Sequence, residues 1–265
     1  MTRLVHLSDL HFGYERESLI YPLLDRVNRA NADLVVVTGD LTHRGRSAQF
    51  AQAAAFLRQI EAPLIAVPGN HDIPLYKLAD RMTKPYKRYK RAIAQNMEPV
   101  GHVGNLRVQG VNSVDPMAWQ RGVLTSTQMR RVVDGIEPKC VNIVAMHHPM
   151  QQRPEIDKAL MRGAPEALAL FELQGIQVVL TGHLHIWSVG AFLGPEGRGI
   201  LQIQGGTALC AREDDLQNEF AVLDFDGPDL RIERHVAPMN ESGFRDPEIL
   251  KFTRIDRRWQ PDGQS

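Results

Sequence analysis

Leu64-Ile65-Ala66-Val67-Pro68-Gly69-Asn70-His71-Asp72 is a short apolar run that stops, within two residues, on a cluster of metal-ligand and proton-carrying side chains. An apolar run closed by Pro and Gly reads as a buried strand, so the polar cluster lies at the strand's end. Four other segments repeat the pattern. Leu4 to Leu7 precedes Asp9-Leu10-His11, Leu34 to Thr38 precedes Gly39-Asp40, Val141 to Met146 precedes His147-His148-Pro149, and Val178 to Thr181 precedes Gly182-His183-Leu184-His185. Loops at strand ends are where sheet proteins build sites, and the five groups together describe a two-metal site.

Working outward from these runs, strand and helix patterns alternate: strand near 3–8, helix near 17–30, strand near 34–38, helix near 47–60 and strand near 64–67. A longer helical region is expected over about 74–97, then a hairpin near 103–113, a helix near 125–134, the strand 141–146, helices between about 155 and 174, and the strand 177–181. This is an α/β layout. After Gly182 come short strands near 186–193, 200–204, 219–225 and 230–236, separated by Gly, Pro and Asp, which read as a second, mainly antiparallel sheet. His183 and His185 sit at the junction, so that sheet is expected to complete the site rather than form a separate domain.

Side chains two apart at a strand's end share a face, so Asp9 with His11, and His183 with His185, can each reach one ion. Carboxylate, imidazole and one amide oxygen make a donor set suited to Mn, Fe, Zn, Co or Ni, and unsuited to a soft thiolate metal. Two ions roughly 3.5–4 Å apart need a bridging anion, for which Asp40 is the candidate, and a shared hydroxide can then attack phosphorus in line. Cys140 and Cys210 form no CxxC pair and read as small core residues.

The bulk numbers bound the partners. The 31 basic and 31 acidic residues cancel, so no overall field draws the chain to nucleic acid or to an anionic membrane, and an anionic substrate must be attracted locally. With 43% hydrophobic residues in 265, a substantial core is available. The first apolar run already carries Asp9 and His11 and lacks the form of a signal peptide, and no stretch approaches the roughly 20 apolar residues of a membrane span; a cytoplasmic location is the expectation.

The five groups, in order, resemble the pattern of the calcineurin-like metallophosphoesterase superfamily: Asp-x-His, Gly-Asp, Gly-Asn-His-(Asp/Glu), His and Gly-His-x-His. The wording Leu7-Ser8-Asp9-Leu10-His11-Phe12-Gly13 and Gly39-Asp40-Leu41-Thr42 is most similar to the branch of class III cyclic nucleotide phosphodiesterases and glycerophosphodiesterases; His43 departs from it. The resemblance implies an α/β, four-layer αββα sandwich of two mixed β-sheets flanked by helices, with the metal site at the C-terminal ends of strands. It further implies a single domain over 1–265, with a basic helical cap-like insertion at about 74–97, a second sheet completed by about 186–236 and a C-terminal tail at 237–265. One divalent transition ion (Mn, Fe or Zn) would be held by Asp9, His11, Asp40 and His185, the other by Asp40, Asn70, His147 and His183. His71 would touch the phosphate and protonate the leaving oxygen, with Asp72 orienting and charging it through a hydrogen bond.

Each remaining feature has a plain reading beside its functional one. His148 is a cleft residue or lies behind His147; His43 touches substrate or is a solvated loop residue; His6 is packing, and His102 and His235 carry no signal. The stretch Tyr76 to Arg91 holds Lys77, Arg81, Lys84, Lys87, Arg88, Lys90 and Arg91 against Asp80 alone, with Met82, Tyr86, Tyr89 and Ile93 at helical spacing and Pro85 suited to a helix start. It is either a surface helix packed by its aromatic stripe or a cap whose Tyr86 meets an anionic substrate or acidic lipid headgroups. Gly205-Gly206-Thr207 is a turn, near the cleft in similar proteins, and Arg212 binds phosphate or pairs with Glu213 or Asp214.

The leading expectation is a dinuclear-metal phosphodiesterase acting on a small anionic phosphodiester, foremost a 3',5'-cyclic nucleotide. Pyrophosphate cleavage of a nucleotide-linked lipid, such as UDP-diacylglucosamine, and DNA nuclease action are the alternative enzymes, the last disfavoured by zero net charge. A noncatalytic scaffold is disfavoured because the set is complete through His71. No stable nucleic-acid partner is expected; peripheral membrane contact and a homodimer are compatible with the sequence.

Overall fold

The strand Thr2–Leu7 (β1) carries side chains into two different cores, and that alternation sets the architecture. The computed structural model describes residues 1–152, 156, 158–191, 199–212 and 215–262. After β1 come Glu17–Arg29 (α1), Leu34–Thr38 (β2), Ser47–Leu57 (α2), Leu64–Val67 (β3), Leu78–Thr83 (α3), Lys87–Ala92 (α4), Val100–Val103 (β4) and Leu106–Val111 (β5). Ser126–Asp134 (α5), Val141–Met146 (β6), Ala164–Gln174 (α6), Val178–Thr181 (β7), Ser188–Ala191 (β8) and Leu201–Gln204 (β9) follow. Gln217–Asp226 (β10), Asp229–Pro238 (β11), Glu248–Ile255 (β12) and Arg258–Pro261 (β13) close the order. Two mixed sheets result, one in the order β13-β12-β11-β10-β1-β2-β3 and the other β4-β5-β6-β7-β9-β8.

Alternating strand residues separate the layers. Leu4, Val36, Ile143, Ala145 and Leu223 meet in a core between the sheets. Val5, Val35 and Val37 point the other way, onto Leu19, Leu23, Phe50 and Ala53 of α1 and α2. Val144 and Met146 pack outward on Met129, Val132 and Phe171 of α5 and α6. The four layers are therefore helix, sheet, sheet, helix, and β1–β2–β3 and β5–β6–β7 run parallel, so their C-terminal ends gather on one edge.

Three expectations change. The helical region expected at 74–97 is two short helices, because Pro85 has no N–H and its ring disfavours helical backbone at Lys84, whose φ is −146°. The strands expected to form a second sheet over 186–236 instead divide: β8 and β9 extend the sheet of β7, while β10 lies against β1. Eight consecutive residues of β10 are buried, and a strand covered on both faces belongs inside a sheet. The expected tail contains β12 and β13, pinned where the Trp259 indole N–H donates to the Gln177 carbonyl at 2.9 Å. The readings that touch 153–155, 192–193, Glu213 and Asp214 lie outside the described residues.

Candidate dinuclear metal centre

Asp9, His11, Asp40, His183 and His185 make up five of the eight non-glycine residues with positive φ among the described residues, at 54°, 49°, 50°, 74° and 57°. That backbone costs about 1–2 kcal/mol for each residue bearing a Cβ. Here it turns the backbone sharply where the strands end, at the positions that carry the polar side chains themselves. The turns are held from outside: Asp9 N donates to Gly39 O at 3.1 Å, His11 N to Asp40 O at 2.9 Å, and Thr207 Oγ1 to Asp9 O at 2.7 Å. Glycine is required where two of these loops touch, since a Cβ at Gly69 would collide with Asp40 and one at Gly182 with Ser8 and Asp9.

Asp40 is central. Its Oδ1 accepts from His71 N at 2.8 Å, and its Oδ2 lies 3.3 Å from His147 Nε2 and 3.7 Å from His11 Nε2. On one side, His185 Nε2 is 3.2 Å from Asp9 Oδ1 and 3.0 Å from His11 Nε2. On the other, His147 Nε2 is 3.1 Å from Asn70 Oδ1, and the His183 ring is 5.1 Å from that of His147. Donor atoms of Asp9, Asp40 and His147 lie within 4.8 Å of one another.

Protons on the far ring atoms fix which nitrogens face inward. His147 Nδ1–H donates to the Thr38 carbonyl at 2.7 Å, and His185 Nδ1–H donates to Asp215 at 3.0 Å, so both Nε2 lone pairs converge on the centre. Asp9 Oδ1 is buried and accepts no hydrogen bond. Two imidazole lone pairs 3.0 Å apart beside an unpartnered carboxylate oxygen repel unless a cation or a proton lies between them, and this donor set fits two divalent ions sharing Asp40.

The charges follow. Burial pushes Asp9 and Asp40 up, but His185 beside Asp9 and His147 beside Asp40 outweigh it and hold both carboxylates well below their usual range. Burial alone would lower His147, yet the Asp40 carboxylate raises it to about 9. Burial brings His11 down to about 3 and, with the neighbouring His148 and His147, lowers His183 strongly.

His71 lies just outside this set. Its Nδ1–H donates to the His43 carbonyl at 2.6 Å, leaving Nε2 directed at Arg212 Nη2, 3.4 Å away. Asp72 does not orient the ring as expected. Residues 70–72 form a 3₁₀ turn that sends successive side chains to different sides, and the Asp72 carboxylate accepts from Gly69 N, Leu41 N, Thr42 N and Thr42 Oγ1 at 2.9–3.1 Å, tying the Asn70 loop to the Asp40 loop.

Other expected contacts are relocated. His148 is buried with both ring nitrogens engaged: Nε2–H donates to the Gln120 carbonyl at 3.0 Å and Nδ1 accepts from Ser113 Oγ at 2.9 Å, so it supports His183 from behind, 4.6 Å ring to ring. Tyr86 donates its hydroxyl to Val114 O at 3.1 Å instead of facing the centre. Tyr89 is buried and donates to Ala66 O, which packs the basic stretch onto the core, while Lys77, Lys84, Lys87, Lys90 and Arg91 stay exposed. His43 faces the site, its ring stacked 5.7 Å from His71 and 4.9 Å from Tyr14. Cys210 is buried as expected and lies with His11 and His185, whereas Cys140 is half-buried. Asp215 was not anticipated: it follows Glu213 and Asp214 in an acidic run with no spacing to single it out.

Residues 2–187 match the family model of the calcineurin-like phosphoesterases. The chain belongs to the calcineurin-like phosphoesterase family. This phosphoesterase is similar to a probable cyclic nucleotide phosphodiesterase of Vesicomyosocius okutanii, 24% identical over 194 residues, covering 69% of this chain and 78% of the relative. It is also similar to the 3',5'-cyclic adenosine monophosphate phosphodiesterase CpdA of Pseudomonas aeruginosa, 26% identical over 198 residues and 69% of each chain. In fold it resembles the purple acid phosphatase PPD1 of yellow lupin, with a TM-score of 0.69 at 15% identity, covering 94% of this chain and 53% of the other. No helix among the described residues of this phosphoesterase is long and apolar enough to cross a membrane.

Proposed function

We propose that the chain is a dinuclear-metal phosphodiesterase, acting in the cytoplasm on a 3',5'-cyclic nucleotide. The observation that carries this is the pair of inward-facing donor groups sharing Asp40, with His71 and Arg212 side by side at their edge. Asp9, His11, Asp40 and His185 would hold one ion of the Mn, Fe or Zn type, and Asp40, Asn70, His147 and His183 the other. When bound, such ions supply Lewis acidity at a phosphoryl oxygen and lower the pKa of water.

The chain's own residues do the rest. Because the His43 carbonyl holds the Nδ1 proton of His71, a second proton on that ring must reside on Nε2, the atom that faces outward. From there it passes to the departing alkoxide. Arg212, beside the same nitrogen, is placed to neutralise charge gathering on the non-bridging oxygens. The two relatives named as cyclic nucleotide phosphodiesterases support the substrate class.

His71→Ala should lower kcat on cyclic AMP by roughly 10²–10⁴-fold. It should cost far less on bis(p-nitrophenyl) phosphate, whose leaving group needs no proton. Asp40→Ala should abolish metal binding and turnover together. Full activity after exhaustive chelation would falsify the reading. Exposed Tyr76, Leu78 and Met82 among the basic residues favour a nucleotide-linked lipid as the second reading, and faster turnover of UDP-diacylglucosamine than of cyclic AMP would replace the first with it.

A further inference from the structure

Beside the proton-carrying edge of the centre is a cavity of about 450 Å³, lined by Gly13, Tyr14, His43, Arg44, Arg46, Gln49 and Arg212. Its volume is within the range of small-ligand sites. Three arginines line it and no acidic residue does, and the Arg44 guanidinium lies 5.7 Å over the Tyr76 ring at its margin. Among the described residues, no acidic side chain pairs with Arg44 or Arg46.

The backbone that carries Arg44 and Arg46 is pinned. Gln49 Oε1 accepts from the backbone N–H groups of both Arg44 and Arg46, at 3.0 and 3.2 Å, and Gly45 is held at both ends, its N–H donating to Thr42 Oγ1 and its carbonyl accepting from Arg88. A loop so pinned does not have to be ordered when an anion arrives. Tyr14, His43 and His71 form a graded stack, 4.9 Å and then 5.7 Å between ring centres with planes 27° and 26° apart, leading from the surface to the proton carrier. Tyr14 is 44% exposed, so the outer end of the stack is open to a planar group. Burial and the neighbouring His71 bring His43 down to about 4, so at neutral pH the His43 ring adds no charge of its own to the cavity.

A cyclic mononucleotide spends its one phosphate on the metal edge and has none left for this cavity. We infer that the cavity is a second-phosphate subsite, and that the preferred substrates are phosphodiesters bearing a further phosphate on a nucleoside whose base stacks on Tyr14. This rests on the phosphodiester chemistry proposed above: a cyclic nucleotide occupies the metal edge alone, and the added phosphate marks the class of diester turned over best. Arg44 and Arg46 bind and position; they touch no reacting atom.

The test is a matched pair of dinucleotides, ApA and 5'-phosphorylated pApA, which share one diester and differ by one phosphate, together with cyclic AMP as the reference diester. The wild-type enzyme should favour pApA over ApA in kcat/KM by about tenfold, the value of one partly exposed charge-assisted phosphate contact. The preference should shrink as salt is raised. In Arg44→Ala/Arg46→Ala it should fall to about one, with the change in KM rather than kcat, and Arg44→Lys/Arg46→Lys should restore part of it. Calorimetry adds a readout that needs no hydrolysis: adenosine 3',5'-bisphosphate should bind the wild type more tightly than AMP, and the margin should vanish in the double variant. Equal turnover of ApA and pApA, or a preference that survives the double substitution, overturns the subsite. Absence of turnover on all three diesters overturns the phosphodiesterase reading instead, and the calorimetric comparison then decides the subsite alone.

Discussion

At the scale of single residues, the centre depends on groups that touch no ion. Asp215 fixes the His185 tautomer by accepting from Nδ1, and Thr38 O does the same for His147 through a main-chain oxygen that no substitution can remove. A carboxylate behind a ligating imidazole raises its basicity, and its loss typically weakens metal binding by roughly 10–100-fold. Asp215→Asn should therefore weaken metal binding by about that factor in a competition titration with a chelator, at unchanged far-UV circular dichroism. Unaltered affinity would remove Asp215 from the centre. The seven proposed ligands were legible because each ends a strand and the types recur at short spacing. Asp215 was illegible for the opposite reason: its partner is 30 residues away and the meeting depends on loop closure. The role of Asp72 was misread because a motif records adjacency along the chain, whereas a 3₁₀ turn sends adjacent side chains apart.

At the scale of elements, hydrophobic patterning located most strands but not their neighbours. Period-two alternation says which face of a strand is covered, and it carries no information on which strand lies beside it. Hence β8 and β9, and β10 and β11, all looked like one antiparallel sheet until pairing divided them. The basic stretch shows a related limit, since charge counting treats its cations alike. Arg81 is only 3% exposed and ties α3 to a neighbouring loop through two carbonyls, with Nε to Pro116 O at 2.7 Å and Nη2 to Ala118 O at 2.5 Å, and to the segment before the helix through a third, Nη1 to Pro74 O at 3.3 Å. Arg81→Met leaves those carbonyls without their donors, at a cost of about 3 kcal/mol. Hydrogen exchange should accelerate over residues 74–83 and 115–120 while α5 and α6 keep their protection; unchanged exchange in both segments would show that α3 is held by other contacts.

At the scale of the molecule, three buried histidines outside the proposed ligand set, His6, His148 and His235, make stability depend on pH. His6 is 1% exposed with Nδ1 unpartnered, and burial brings it from 6.5 to about 4. His235, stacked on Phe220 at 4.5 Å, is also lowered by burial. The folded state disfavours the proton that the unfolded chain accepts near pH 6.5, so stability is complete above that value and declines as pH falls toward 4. One pKa unit is worth about 1.4 kcal/mol, which makes His6 alone worth up to about 3 kcal/mol across that window. The melting temperature of His6→Gln should fall less steeply between pH 6.5 and 4 than that of the wild type, and parallel curves would assign the acid sensitivity elsewhere.

The placement of β1 between β2 and β10 has a consequence in time. A ribosome releases β1 first and reaches β10 some tens of seconds later, at about 5–20 residues per second. Until then the strand that aims Asp9 and His11 has one open edge, and His183, His185 and Asp215 arrive only near the end. The centre is thus assembled after translation of its first ligands, and metal acquisition becomes a property of the finished chain. A nascent or truncated polypeptide lacking β10 should capture neither ion stably, so the order of synthesis itself keeps a half-built hydrolase inert.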